Sequence, residues 1–410
     1  MKKHLLVIGI IFLFVGMGFQ PVFANDVSIG MMEKHPRGDT FFRTFGGTLP
    51  DDGYFVQQTS DDGYIITGET RSYGAGKRDV WLIKTDSNGN EEWDKTFGGP
   101  KDDCGYCVRQ TTDGGYIITG VTESFSAGWG DIWLIKTDSV GNMLWNKTFG
   151  GPYNEEGKCI QLTSDGGYII VGIGWLIKTD SDGNKIWDRD LGDGACDSIQ
   201  QTSDGGYIIA GRLRKNARNY ALLIKTDSNG YIVWNKTFGG LHNDKSHWVQ
   251  QTSDGGYILT GSTGMIDFSD VWLIKTDSNG NRTWDRKFGY DSCGYFVQQT
   301  SDGGFIITGV TYGLFYRSLY LIKTDNSGIM EWENINASLK VEYGYCVQET
   351  TDGGYIITGN TREYDVCLIK TDKDGNVKSK SVTGNMLLLR ILERFPLLQR
   401  LLDVWRFNIE

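Results

Sequence analysis

Few residues of this 410-residue chain have the type and spacing to do chemistry, and most of them lie between repeated phrases. His242, Asp244 and His247 share the segment LHNDKSHW. Two imidazoles and a carboxylate are donors a metal would accept, although their spacing matches no familiar zinc motif. Asp103, Glu155 and Glu156 belong to acidic pairs that precede successive repeats: Asp51-Asp52, Asp102-Asp103 and Glu155-Glu156. Carboxylates gathered on one face can ligate Ca²⁺ through oxygen. At separations of about 5–10 Å they can also act as the acid and base of glycoside cleavage. Their third role is structural, since Asp readily accepts backbone hydrogen bonds in turns. Phe125 and Trp129, in VTESFSAGWGD, add aromatic rings of the kind that stack on sugars or pack loop on loop. Cys104-Gly-Tyr-Cys107 has redox spacing but no second CxxC and no βαβ context, which favours a structural role. No usable Ser/His/Asp order or GxSxG elbow occurs. No catalytic residue is therefore assigned. The candidate ligand-binding set is Phe125, Trp129, Asp103, Glu155, Glu156, His242, Asp244 and His247. No cofactor is implied beyond Ca²⁺ at the acidic links.

These residues are positioned by a phrase written seven times. DGGYIITG at 113–120 returns, with small edits, at 61–68, 165–172, 204–211, 254–261, 302–309 and 352–359. Its aromatic anchors are Tyr64, Tyr116, Tyr168, Tyr207, Tyr257, Phe305 and Tyr355, spaced 52, 52, 39, 50, 48 and 50 residues apart. Periods of this length are the signature of repeat architectures. Each unit contains four short runs rich in Ile, Val, Tyr, Trp and Thr, bounded by Gly, Asp, Asn or Ser, and such runs are strands. The expectation is an all-β, seven-bladed β-propeller of four-stranded blades over residues 40–384. TFFRTFGG at 40–47 is an orphan fourth strand, with Phe41 in the slot that WDKTFGG fills with Trp. It is expected to complete the seventh blade and leave no open edge. Turns such as SDGG and DSNGN are nearly constant, whereas the second-to-third-strand loops and blade links vary. A specific ligand is therefore expected on the variable face.

The ends have different compositions. Lys2 and Lys3 precede an apolar run from Leu5 to Phe19, and Val22-Phe23-Ala24 suits a signal-peptidase cut. Residues 1–24 thus read as a signal peptide and 25–39 as a linker, and the expectation is a secreted protein, free or associated with the cell surface. Residues 385–410 place Leu388, Ile391, Leu392, Phe395, Leu398, Leu401, Leu402 and Trp405 at spacings of three and four, as in an amphipathic helical tail. Such a tail can dock on the propeller, pair with a partner or lie on a membrane surface. The formal net charge of −10, with no Lys/Arg cluster in the mature chain, argues against nucleic acid. Seven cysteines are an odd number, too sparse for a disulfide-stapled domain.

The pattern DGGYIITG…DVWLIKTDSNGN…FGG resembles the delta-60-type repeats of secreted proteins over about residues 40–384. TDSNGNEEW resembles the strand–turn–Trp element of quinoprotein-like propellers, one residue shorter between Asp and Trp. The layout is also similar to kelch repeats, without their double glycine after the second strand. The resemblance implies a propeller but not an activity, because propellers host enzymes, binders and scaffolds. The expected function is an exported module that binds a protein or polysaccharide through its variable face. The alternative is an extracellular carbohydrate-active enzyme using acids on that face.

Overall fold

The computed structural model describes residues 40–377, except 266–267, 314–315 and 336–338. Twenty-six strands run from β1 (Phe41–Phe45) to β26 (Val366–Thr371), and every neighbouring pair within a sheet is antiparallel. The described residues contain no α-helix. The signal peptide, the linker and the helical tail expected over 385–410 lie outside them.

The expected seven separate blades are corrected to six. Hydrogen bonding divides the strands into six sheets, five of four strands and one of six. The six-stranded sheet carries both the third and the fourth repeat, and its cause is the shortened third unit. Gly172-Ile173-Gly174 replaces a loop, so β11 (Tyr168–Thr179) runs unbroken through two strand positions. The next strand, β12 (Lys185–Gln201), is continuous over 17 residues. Its first half pairs with β11 as an outer strand, while its second half pairs with β13 (Tyr207–Lys215) as an innermost strand. With neither loop nor link to interrupt the ladder, two repeats fuse into one blade.

The repeated phrase has a physical reason at nearly every position. Its opening Asp takes the buried Lys of the KTD triplet on the same repeat, as in Asp61–Lys84 at 2.9 Å and Asp254–Lys275 at 2.8 Å. The same pair forms in all seven repeats. Its aromatic packs on the outer-strand Trp of the preceding repeat, with ring centroids 5.8 Å apart for Trp93–Tyr116 and 6.0 Å for Trp234–Tyr257. Its last glycine is fixed by close approach. At the register shift in the first strand, a Cβ on Gly68 would stand 1.8 Å from the Asp52 carbonyl oxygen, and one on Gly261 would stand 1.9 Å from that of Lys245.

The seam between the chain's ends uses the same parts. β1 pairs with β26, Phe41 opposite Lys370. Phe41 packs on Tyr64 at 6.1 Å, as Trp93 packs on Tyr116, and lies under the turn glycine Gly89 as Trp93 lies under Gly141. The Arg43 guanidinium donates to the Asn88 carbonyl at 3.0 Å, as Arg286 does to that of Ser327. The outer edge of β26 is thus covered by the first described strand.

Candidate functional site at the variable mouth

The first strand of each repeat packs on the first strand of its neighbours around a central axis. Two glutamine positions near the constant end of these strands join neighbours. Gln57 and Gln250 side-chain oxygens accept from the backbone N–H of Gln110 (2.8 Å) and Gln299 (2.6 Å). One residue further, Gln110, Gln201, Gln251 and Gln299 accept from Ser60, Ser164, Ser203 and Ser253. Above this belt the axis is filled. Trp248 stacks on Phe296 at 4.0 Å, and Phe55, from a strand that borders neither, reaches across to both at 5.9 and 6.0 Å. Arg109 lies 4.5 Å over the Phe55 ring. A ligand entering from the variable face meets this plug.

One step nearer that face, each repeat contributes one side chain, and here the repeats disagree. The seven residues are Tyr54, Tyr106, Lys158, Asp197, His247, Tyr295 and Tyr345, each four positions before the second residue of the Gln pair. Six of the seven neighbouring pairs nevertheless touch around the mouth. Ring centroids are 5.6 Å apart for Tyr54–Tyr106, 5.4 Å for Tyr54–Tyr345, 5.5 Å for Tyr295–Tyr345 and 5.6 Å for His247–Tyr295. Lys158 Nζ sits 4.0 Å over Tyr106, and His247 Nδ1 lies 3.5 Å from Asp197 Oδ2. Burial pushes the tyrosine hydroxyls Tyr54, Tyr106, Tyr295 and Tyr345 up, so they stay neutral donors.

Beside this ring a cavity of about 1030 Å³ opens on the variable loops. Its walls include Arg212, Arg214, Lys245, His247, Cys293, Tyr295 and Tyr312. Burial alone would lower the His247 pKa; Cys293 and Asp197 outweigh it and raise it to about 10, so the imidazole is a cation at neutral pH. Across the mouth lies an acidic group. Burial and the nearby Glu69 carboxylate raise Asp52 to about 6, while Asn360 donates to it at 2.5 Å. Glu69 is buried against Arg78 at 3.3 Å, and Arg78 also holds Asp102 at 2.8 Å.

The sequence-derived residues are scattered over this face. Asp103 is fully buried and accepts from Gly99 N–H (2.9 Å) and the Ser124 hydroxyl (2.6 Å). Asp244 likewise accepts from Gly240 N–H (2.9 Å) and the Thr263 hydroxyl (2.6 Å), and Glu155 accepts from Gly151 N–H (3.1 Å). Their own N–H groups bond to the loop of the preceding repeat, as Asp103 N–H does to Arg78 O at 2.8 Å and Asp244 N–H to Asn219 O at 3.0 Å. These acids stitch loops together, and two of them are sealed from solvent. Glu156 pairs with Lys158, whose ammonium holds the carboxyl below its ordinary value in spite of burial. Phe125 is half covered by Trp133 at 5.4 Å, whereas Trp129 projects with 78% exposure. Of His242, Asp244 and His247, only His247 lines the mouth, because His242 is exposed and Asp244 is buried, so these three do not converge. Among the described residues no group of three or more His, Cys, Asp or Glu is arranged to hold a metal. Cys104 and Cys107 do not pair with each other: Cys104 donates to Glu69 at 2.8 Å, and Cys107 faces Cys159 at 3.9 Å. Tyr54, Tyr106, Asp197, Tyr295, Arg212 and Cys293 were missed. Aligning the repeats on their glutamines would have shown the ring as a column in which Lys158, Asp197 and His247 interrupt four tyrosines.

No protein-family model matches the sequence, and comparison with curated proteins gives no match. Among solved structures, the chain is similar to BBS1N in a complex with ARL6DN, at 9% identity and TM-score 0.51, covering 83% of this chain and 99% of that one. It is similar to the WD40 domain of Neurospora crassa Pan2 at 9% identity and TM-score 0.51, covering 79% and 89%. It also resembles Sqt1 from Chaetomium thermophilum at 12% identity and TM-score 0.51, covering 86% and 88%. At such identities the likeness defines the class alone: a β-propeller with neighbours of WD40 type.

Proposed function

We propose that this chain is an exported interaction module that binds a segment of a protein partner in the variable mouth. The observation that carries the reading is the ring of unlike residues at seven equivalent positions. There Lys158, Asp197 and His247 break a run of tyrosines and give the rim an uneven charge, whereas the glutamines and Lys–Asp pairs at the other end repeat. The plug beneath gives the mouth a floor, and concave sites with aromatic walls and a few polar groups are where ligands bind. Arg214 and Lys245 line the cavity and form no ion pair among the described residues. They suit an acidic side chain of the partner, with Tyr295 and Tyr312 offering aromatic contact. Propellers commonly serve as interaction modules, and BBS1N is described in complex with ARL6DN.

The test is selection of displayed random peptides on the folded protein. Acidic peptides should be enriched, and binding should fall at least tenfold in Arg214→Glu and Tyr295→Ala. Asn279→Arg, on an exposed constant-face turn, should leave it unchanged. Peptides insensitive to both mouth variants, or glycan-array binding with no peptide enriched, would reject the reading. N-terminal sequencing of the protein from the culture medium tests export, with cleavage after Ala24 expected.

A further inference from the structure

The glutamine belt on the constant side is interrupted once. At the first of its two positions the seven repeats carry Gln57, Arg109, Gln161, Gln200, Gln250, Gln298 and Gln348, so one guanidinium stands among six amides. All but Gln57 line an axial cavity of about 160 Å³, and Trp248 and Phe296 of the plug form its apolar end. The belt residues are half-buried and the plug closes the other side, so the cavity is entered from the constant face. Four of the amides are oriented by backbone. The side-chain oxygens of Gln57, Gln200, Gln250 and Gln298 accept from the N–H of Gln110, Gln251, Gln299 and Glu349 at 2.5–2.8 Å. Only the oxygen of an amide side chain can accept, so each NH₂ group is the free end. None of these four NH₂ groups has an acceptor among the described residues. Arg109 donates through Nε to the Ile160 carbonyl at 3.3 Å and lies over Phe55, and its charge has no carboxylate partner among the described residues. Glu349, one position beyond Gln348, accepts from the Ser301 N–H and hydroxyl, both at 2.7 Å, and no carboxylate lines the cavity.

We propose that this axial cavity binds a small organic carboxylate, with Arg109 as its counter-ion and the glutamine NH₂ groups as neutral donors. A cation finds no acidic oxygen there. Phosphate carries more negative charge than one guanidinium balances, and charge left uncompensated away from water is costly. The planar guanidinium fork matches a carboxylate, and the aromatic end covers a carbon body that a halide lacks. The volume is close to the roughly 150 Å³ that holds one benzene, which sets benzoate as the upper size. Such a ligand touches six of the seven repeats and ties their innermost strands together. It is separated from the variable mouth by the plug and does not depend on the peptide reading.

Full-length protein is titrated with sodium benzoate by calorimetry, with benzamide, acetate, chloride and phosphate as comparison probes. One benzoate should bind per chain and raise the melting temperature, because only the folded ring assembles the site. Benzamide has nearly the same shape without the charge and should bind about tenfold more weakly or worse, having lost the charge-assisted contact. Arg109→Gln makes the column uniform and should lower benzoate affinity by about tenfold or more, while Arg109→Lys keeps the charge without the fork and should lose less. Should Arg109→Gln fail to fold, the benzamide comparison and Arg109→Lys carry the test. Absence of saturable benzoate binding, equal binding of benzamide, or an affinity indifferent to the folded Arg109 variants would overturn the proposal. Chloride or phosphate displacing benzoate at equal concentration would overturn the carboxylate assignment, whereas acetate alone displacing it supports that assignment. Arg214→Glu should leave benzoate binding unchanged and Arg109→Gln should leave peptide binding unchanged, so each reading fails on its own readout.

Discussion

The two ends of one set of strands obey different rules. At the constant end, every repeat places the same Lys–Asp pair, and nearly every one a glutamine bridge and an aromatic–aromatic contact to its neighbour. At the variable end, a few residues earlier on those strands, two tyrosines give way to Lys158, Asp197 and His247 before two more tyrosines follow. The difference teaches where constraint lies. The constant end answers to packing between repeats, which is the same problem each time. The variable end closes nothing, because Phe55, Trp248 and Phe296 already fill the axis below it. Its residues are free to diverge and to serve one asymmetric ligand.

The largest effects should come from breaking the constant end. Gly261→Ala forces a Cβ to 1.9 Å from a backbone oxygen that cannot move without its strand. A loss of about 4 kcal/mol or more is expected, in the range reserved for severe backbone or core lesions. Chemical denaturation measures it. Gly255→Ala is the control: φ is +80° there but no atom lies within 4 Å of the new Cβ, so only the left-handed penalty of about 1–2 kcal/mol applies. Equal losses at the two positions would refute close approach as the reason the phrase ends in glycine. Next comes the plug. Phe55→Ala should cost about 3–5 kcal/mol, as deletion of a buried aromatic does, and should deepen the mouth without changing its rim.

The Lys–Asp pairs are a smaller and pH-dependent part of the constant end. Burial alone would raise these carboxyls. Hydrogen bonds from a Thr hydroxyl, the Lys ammonium and a Gly N–H outweigh it and hold Asp61, Asp113, Asp165, Asp204, Asp254 and Asp302 at about 2, below the ordinary 3.8. Because the folded value is the lower one, the unfolded chain binds more protons between the two. The stabilisation is therefore complete above about pH 4 and drains away as pH falls through 2. The melting temperature should drop over that window, and Asp254→Asn should flatten its slope. These carboxylates are more than half exposed, so each pair contributes only about 1 kcal/mol or less after solvent screening. A melting temperature constant from pH 5 to pH 2 would remove the pairs from the account.

How legible this was in the sequence follows the same division. The all-β propeller, the four-strand unit and the closing role of Phe41 are visible because repetition shows which residues share an environment. The blade count misled, because counting phrases assumes that each phrase makes its own sheet. The Gly172-Ile173-Gly174 segment shortens the third unit, and its consequence is continuity of β11 and then β12 into the next repeat. Acidic links drew attention as carboxylates, but Asp103 and Asp244 spend their oxygens on neighbouring N–H and hydroxyl groups. Sequence records a residue's chemistry without its partners. His247 was picked for its type, and its actual companions, Asp197 and Cys293, lie about 50 residues away on either side.

The smallest effect on stability should accompany the largest effect on binding, and that reversal tests the comparison best. Arg214→Glu alters an exposed side chain at the cavity wall, opposite Asn219 in the ladder. Unfolding free energy should shift by no more than about 0.5 kcal/mol, as for surface positions without a special role. Affinity for an acidic peptide should fall tenfold or more, about 1.4 kcal/mol or above, and more steeply at low salt, where the reversed charge is least screened. On the constant face, Asn279→Arg changes charge on an equally exposed turn and should move neither quantity. If Arg214→Glu destabilised the fold as much as it weakened binding, the variable end would be scaffold like the other. If Asn279→Arg weakened binding, the ligand would sit on the repeated face, and the asymmetry of the mouth would need another cause.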